Sequence, residues 1–173
     1  PYDKEKDLEN CQRWINDPEV RFYLENTSPI TLDKEDQILK GFSEDPHKVF
    51  LIIETKNGEP IGGISLENIN WIHRTATTGT LIGKKEYWGK GYGTDAKMAL
   101  LDYAFNTLNL RKINSTVLAF NKRSLKYNQK CGYKVEGIRK KQLYRDGQYV
   151  DEIVIAVFKK DFRKIWGKYK RQK

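Results

Sequence analysis

The chain has little cysteine: Cys11 and Cys131 are the only two in 173 residues. Two thiols so far apart build neither a disulfide framework nor a four-ligand zinc site. No apolar run approaches the ~20 residues that span a bilayer, and no leader pattern opens the sequence. Linker-like stretches, internal repeats and low-complexity segments are all missing. These absences lead to the expectation of one domain over residues 1–173, in the cytosol, without metal and without membrane association. The first residue is Pro1 rather than Met, so some native N-terminal sequence is expected to be missing. Hydrophobic residues at 38% are enough for a core, which excludes disorder as the global state.

Charge is plentiful but uneven. Residues 1–60 hold 8 basic and 14 acidic side chains, whereas residues 61–173 hold 24 and 9. Residues 159–173 alone carry eight basic residues and one acid, a basic tail expected to be a short helix or frayed. Such a split suggests a basic face for an anion and an acidic face for a cation, or simply a solvated basic surface.

Apolar spacing at Leu8, Cys11 and Ile15 predicts a helix that Asp17-Pro18 stops. Thr31 predicts an N-cap, with Asp33, Glu35 and Asp36 in the first turn and Ile38, Leu39 and Phe42 on the buried side. Val49 to Ile53 predicts a strand, Asn57-Gly58 a hairpin turn and Ile61 to Leu66 the returning strand. A third strand is expected near Ala76 to Gly83. Ala96, Leu100, Tyr103, Ala104 and Leu108 then mark a long amphipathic helix. A strand at Ile113 to Ala119 and a short helix at Ser124 to Lys130 follow, the latter ended by Gly132. Two last strands, near 133–143 and 149–158, join through Asp146-Gly147. Helices, a meander and then helix–strand–helix predict a mixed α/β (α+β) sheet.

The most informative stretch is Trp88-Gly89-Lys90-Gly91-Tyr92-Gly93-Thr94. It follows a strand and opens a helix, so its glycines can bring backbone N–H groups close to an anion at the helix's positive end. Several charge-assisted bonds of about 1.5–3 kcal/mol each would hold a pyrophosphate. A tight glycine turn without a ligand is the plain alternative. A P-loop is excluded because no Gly-Lys-Ser/Thr is present, and Asp102 comes too early for a dinucleotide fingerprint.

This segment resembles motif A of the GNAT acetyltransferases, Gln/Arg-x-x-Gly-x-Gly/Ala, with glycines at Gly91 and Gly93. Trp88 stands where that family has Gln or Arg. Asn121-Lys122-Arg123-Ser124, Lys130-Cys131-Gly132-Tyr133 and Glu136-Gly137 resemble the second motif of the branch holding ribosomal-protein N-terminal acetyltransferases and spermidine acetyltransferases. The resemblance covers nearly the whole chain. It implies a central mixed twisted sheet with flanking helices, an opening strand cut short before Asp3, and a splayed parallel pair with acetyl-CoA as co-substrate wedged between. Thr80, Leu81 and Ile82 would line the pantetheine arm. Trp88 to Thr94, including Gly89, Lys90, Tyr92 and Thr94, would hold the pyrophosphate. Asn121 and Ser124 would meet the arm near the thioester, and Lys122, Arg123 and Lys130 would lie near the nucleotide end or be solvated.

In such enzymes an amine attacks the thioester directly, so a proton must leave the amine and one must reach the departing sulfur. Many members donate from a Tyr four residues before the motif glycine, where this chain has Asn128. Tyr127 is adjacent but about 100° around the helix, and Ser124 can hydrogen-bond the sulfur. Candidates for the base are Glu67, His73 and Asp151. A lysine-like amine needs roughly 4–5 kcal/mol to be neutral at pH 7 and an α-amine about 1. Without an evident base the acceptor expected is a protein or peptide α-amine or an amino sugar, with a polyamine as the alternative. A CoA sensor without catalysis and a nucleic-acid-binding module using Trp166, Tyr169 and the basic tail are the other classes, ranked below. A homodimer is compatible with the sequence.

Overall fold

Polar caps stand where apolar spacing begins, and the N-terminal helices form there. In the computed structural model, which describes residues 1–171, the Asp3 carboxylate accepts the N–H of Glu5 and opens α1 (Lys4–Asn16). Asp17-Pro18 ends α1 as expected, then starts α2 (Pro18–Arg21), because Asp17 accepts the N–H groups of Glu19 and Val20 while Pro18 needs no donor. Thr31 caps α3 (Leu32–Glu44), accepting from Lys34. Two expectations on α3 shift: Glu35 is buried, and Ile38 is 39% exposed.

Six strands follow: β1 (Val49–Glu54), β2 (Pro60–Asn70), β3 (Thr75–Ile82), β4 (Lys112–Leu118), β5 (Lys134–Arg145) and β6 (Gln148–Phe158). Their order is β1-β2-β3-β4-β6-β5, antiparallel throughout except for β3 beside β4. The predicted turns hold, with Gly58 at φ +78°, and Asp146 and Gly147 at +45° and +83°. The fold is thus the mixed sheet with flanking helices that the pattern predicts. The parallel pair is bonded only at Thr75, Ala76 and Thr77 opposite Lys112, Ile113 and Asn114. Beyond these pairs the strands diverge, so the expected splay is present. Just past them the Ser115 hydroxyl donates to the Thr78 carbonyl at 3.0 Å, closing the vertex.

One face of the sheet carries α4 (Tyr92–Asp102, continued by a π turn at Tyr103–Thr107), α5 (Lys122–Lys130) and α6 (Lys159–Lys170). Leu101, Phe105, Ile113, Ile155 and Phe162 form the core there. Tyr103, expected on the buried side of α4, is exposed, and Phe105 takes that place. A second cluster of Leu8, Cys11, Trp14 and Leu39 joins α1 to α3. Trp14 lies so close to Gly83 that a Cβ there would sit 1.9 Å from the indole. The basic tail is helical through Lys170, with Arg171 as its C-cap, rather than frayed. Phe162 of α6 is buried, Trp166 stacks on it at 5.5 Å, and Tyr169 stacks on Trp166 and bonds Asp95 of α4. Its aromatics therefore pack onto the core, Phe162 buried and Trp166 and Tyr169 half-buried against it, rather than standing free as a nucleic-acid platform. Residues 172–173 of that tail lie outside the described residues. No helix among the described residues is long and apolar enough to cross a membrane.

Candidate active site

A cavity of about 800 Å³ opens where β3 and β4 part. Strand alternation gives its walls two characters. Thr78 and Thr80 face the α4 and α5 side, whereas Thr77 and Gly79 face the side where Glu67 of β2 stands; a Cβ on Gly79 would lie 3.6 Å from the Glu67 carboxylate. Thr80, Leu81 and Ile82 line the cavity. So do Asn121 and Ser124, but the Asn121 side-chain oxygen already accepts the Ser124 N–H at 3.0 Å, as the N-cap of α5.

The glycine loop forms the mouth. Gly89 and Gly91 take φ values of +75° and +94°, and nothing lies within 4 Å of a Cβ built on either. Gly91 precedes α4 with no side-chain cap, so the first-turn N–H groups have no side chain closing them off. Gly93 and Thr94 also line the cavity. Lys90 and Tyr92 depart from expectation, since neither is on its wall. Lys90 lies over the Tyr87 ring at 5.8 Å, and Tyr92 meets the same ring edge-on at 5.1 Å.

Trp88 is more than a missing Gln or Arg. Its indole N–H donates to the Ile82 carbonyl at 2.6 Å, and its face carries the Arg123 guanidinium 4.0 Å away. Tyr23 covers the same guanidinium at 5.0 Å. Arg123 therefore rests against two rings that meet each other edge-on at the cavity wall, with no acid paired to it among the described residues.

The candidate acids gather on α5. The Tyr127 hydroxyl faces Thr80, Asn128 and Ser124, which favour its phenolate. Burial is the larger effect and pushes the phenol up to about 12. Asn128 is buried, donates to the Ser124 carbonyl and hydroxyl, and leaves its own oxygen without a partner. Thr80 Oγ1 is likewise buried, and although it lies near the Tyr127 hydroxyl it makes no well-formed hydrogen bond. Of the candidate bases only Glu67 reaches the cavity, where it accepts the Ser65 hydroxyl at 2.7 Å. His73 is exposed on the β2–β3 loop, and Asp151 is held by Lys140 and the Lys141 N–H.

Tyr23 and Glu25, also on the wall, come from the irregular segment after α2, where no periodicity signals them. Glu25 accepts the Thr116 hydroxyl of β4 at 3.0 Å, tying that segment across the splay.

A parallel pair opening between a glycine cradle and a polar helix face defines an acetyltransferase-type site. The acetyltransferase (GNAT) domain model matches residues 1–134, and the chain belongs to that family. It is 29% identical over 163 residues to spermidine N(1)-acetyltransferase of Escherichia coli K12, covering 94% of this chain and 86% of that relative. It is also 29% identical over 157 residues to the uncharacterized N-acetyltransferase p20 of Bacillus licheniformis, covering 88% and 86%. The structure of spermidine N-acetyltransferase from Vibrio cholerae in complex with CoA and spermine superposes with a TM-score of 0.85 at 25% identity, covering 91% of this chain and 92% of that one.

Proposed function

We propose that the protein transfers an acetyl group from acetyl-CoA to the primary amine of a small cationic acceptor. The observation that carries this reading is the splay itself, with a glycine cradle at its mouth and Tyr127 and Glu67 on opposite walls. The fit of the co-substrate is supported by the open space around Gly89 and Gly91 and by the unpartnered buried oxygens of Thr80 and Asn128. Gly89, Gly91 and the α4 N-terminus would hold phosphates, with Arg123 beside them, and the backbone of Thr80 to Ile82 would hold the arm.

When bound, acetyl-CoA supplies a thioester whose carbonyl carbon bonds to the acceptor nitrogen while its C–S bond breaks and the sulfur leaves with the electron pair. Glu67 takes the proton that the amine sheds, directly or through one water. Tyr127 holds a proton at its hydroxyl on the other wall and gives it to the departing sulfur. Burial keeps that phenol protonated at neutral pH, as a donor must be. Ser124 and Asn128 orient Tyr127.

The acceptor reading departs from the sequence expectation of a low-pKa amine, whose premise was the lack of a base. Glu25 and Glu67 are two carboxylates that line the same cavity, which suits an acceptor carrying a second positive charge. The relatives named for spermidine support that class. The test is release of free CoA thiol with spermidine, glucosamine and a peptide α-amine. The expected result is the highest kcat/KM for spermidine. No thiol release with any amine refutes acetyl transfer, and a preference for the peptide refutes the polyamine reading.

A further inference from the structure

Lys97 lies in the second turn of α4, in register with Leu101 and Ala104, and it is 1% exposed. Burying an amine this fully costs several kcal/mol unless something offsets it. No carboxylate pairs with it among the described residues. Its Nζ donates to Thr78 Oγ1 at 2.5 Å, and Thr78 Oγ1 is also 3.2 Å from the Tyr133 hydroxyl. The Tyr133 ring lies under the amine, with its centroid 5.6 Å away. Thr78 is the first β3 residue beyond the last β3–β4 pair and lines the cavity, so the amine sits directly behind the vertex of the splay. Tyr133 in turn is close enough to Tyr127 to feel its charge.

The titratable groups around Lys97 are few. Cys131 at the end of α5 and Tyr133 before β5 are both pushed by burial toward their neutral forms. Asp95 on the same helix is bonded to Tyr169 of α6. Lys97 therefore has no resident anion to answer, and the cavity wall it backs is where negative charge would build during acetyl transfer.

We propose that Lys97 is a positioning residue for acetyl transfer, its cation acting through Thr78 to stabilise the negative charge that develops on the thioester oxygen and sulfur at the vertex. This inference rests on the acetyl-transfer reading above. A cation behind a dry wall acts with little screening, and it contributes to the charged transition state more than to the bound ground state. Lysine suits the position better than arginine because a compact ammonium on a flexible stem fits one hydroxyl acceptor. Burial lowers its pKa to about 7, so the charge is lost as the pH rises through that value.

The test compares Lys97→Met, which keeps the stem volume and removes the charge, with Thr78→Val, which keeps the amine and removes its acceptor. In the CoA-free protein, unfolding releases Lys97 to an ordinary pKa of about 10.4, so wild-type stability should rise with pH between about 7 and 10. Lys97→Met should raise Tm and abolish that rise. In turnover it should lower kcat about ten- to a hundredfold, leave KM for acetyl-CoA nearly unchanged, and lose the alkaline limb of the kcat profile. Thr78→Val should move that limb to lower pH, since the ammonium loses its acceptor. A Lys97→Met protein with higher Tm and wild-type kcat overturns the proposal, as does one whose Tm and kcat fall together. A wild-type protein that releases no CoA thiol overturns the acetyl-transfer reading and this one with it, whereas an active Lys97→Met with an unaltered pH profile overturns this one alone.

Discussion

Replacing Gly91 with alanine separates the backbone demand of the glycine loop from its ligand demand. Gly91 sits at φ +94° and nothing lies within 4 Å of a Cβ built there, so the substitution adds strain without a protein clash. Left-handed backbone costs an L-residue roughly 1–2 kcal/mol. For a chain of this size each kcal/mol lowers Tm by about 2–4 °C, giving an expected fall of about 2–8 °C. That strain is present with and without ligand, so it cancels in the affinity. What changes affinity is the methyl group entering the open space where phosphate would approach the first N–H groups of α4. Losing one charge-assisted bond of about 1.5–3 kcal/mol raises Kd for CoA roughly 10- to 150-fold. Gly58→Ala is the matched control: φ is +78°, nothing lies within 4 Å of a Cβ, and the position is a remote hairpin turn. Scanning calorimetry and titration calorimetry read the two effects. Both variants should lose similar Tm, and only Gly91→Ala should lose CoA affinity. Equal Kd values for the two would refute a phosphate site at this loop.

Tyr127→Phe should lower kcat by up to about 10²–10⁴-fold with KM for acetyl-CoA nearly unchanged, and wild-type kcat in a regime where chemistry is rate-limiting would remove Tyr127 as the donor. Arg123→Ala should raise Kd for CoA about tenfold or more through loss of the ring-supported guanidinium; the same Kd by calorimetry would mean that Arg123 is only solvated. Ending the chain after Arg163 should lower Tm measurably, because it removes the Trp166 and Tyr169 stack on Phe162 and the bond to Asp95. An unchanged melting curve would mean that this stack adds nothing to stability.

Local chemistry determined much of this protein from the sequence alone. Asp17-Pro18, Thr31 and Gly132 end or start helices through their own dihedral preferences and hydrogen bonds, and Asn57-Gly58 and Asp146-Gly147 turn because few other residues tolerate positive φ. The glycine loop before α4 and the helix after it were legible for the same reason, as was the sheet class from its periods. Tertiary structure decided what depends on distant partners. The 3.6-residue period of α4 suggested Tyr103 for the core, yet packing against α6 chose Phe105. The basic composition of 159–173 suggested a solvated tail, yet three aromatics buried one face of it. Asn128 and Tyr127 are neighbours in sequence, and only the arrangement of β3 against α5 turns the phenol toward Thr80. Arg123 against Tyr23 and Trp88, Glu67 beside Gly79 and Lys97 behind Thr78 each join residues from separate elements. No pattern within one element encodes them, because their energies come from burial and approach that exist only once the sheet and helices have met.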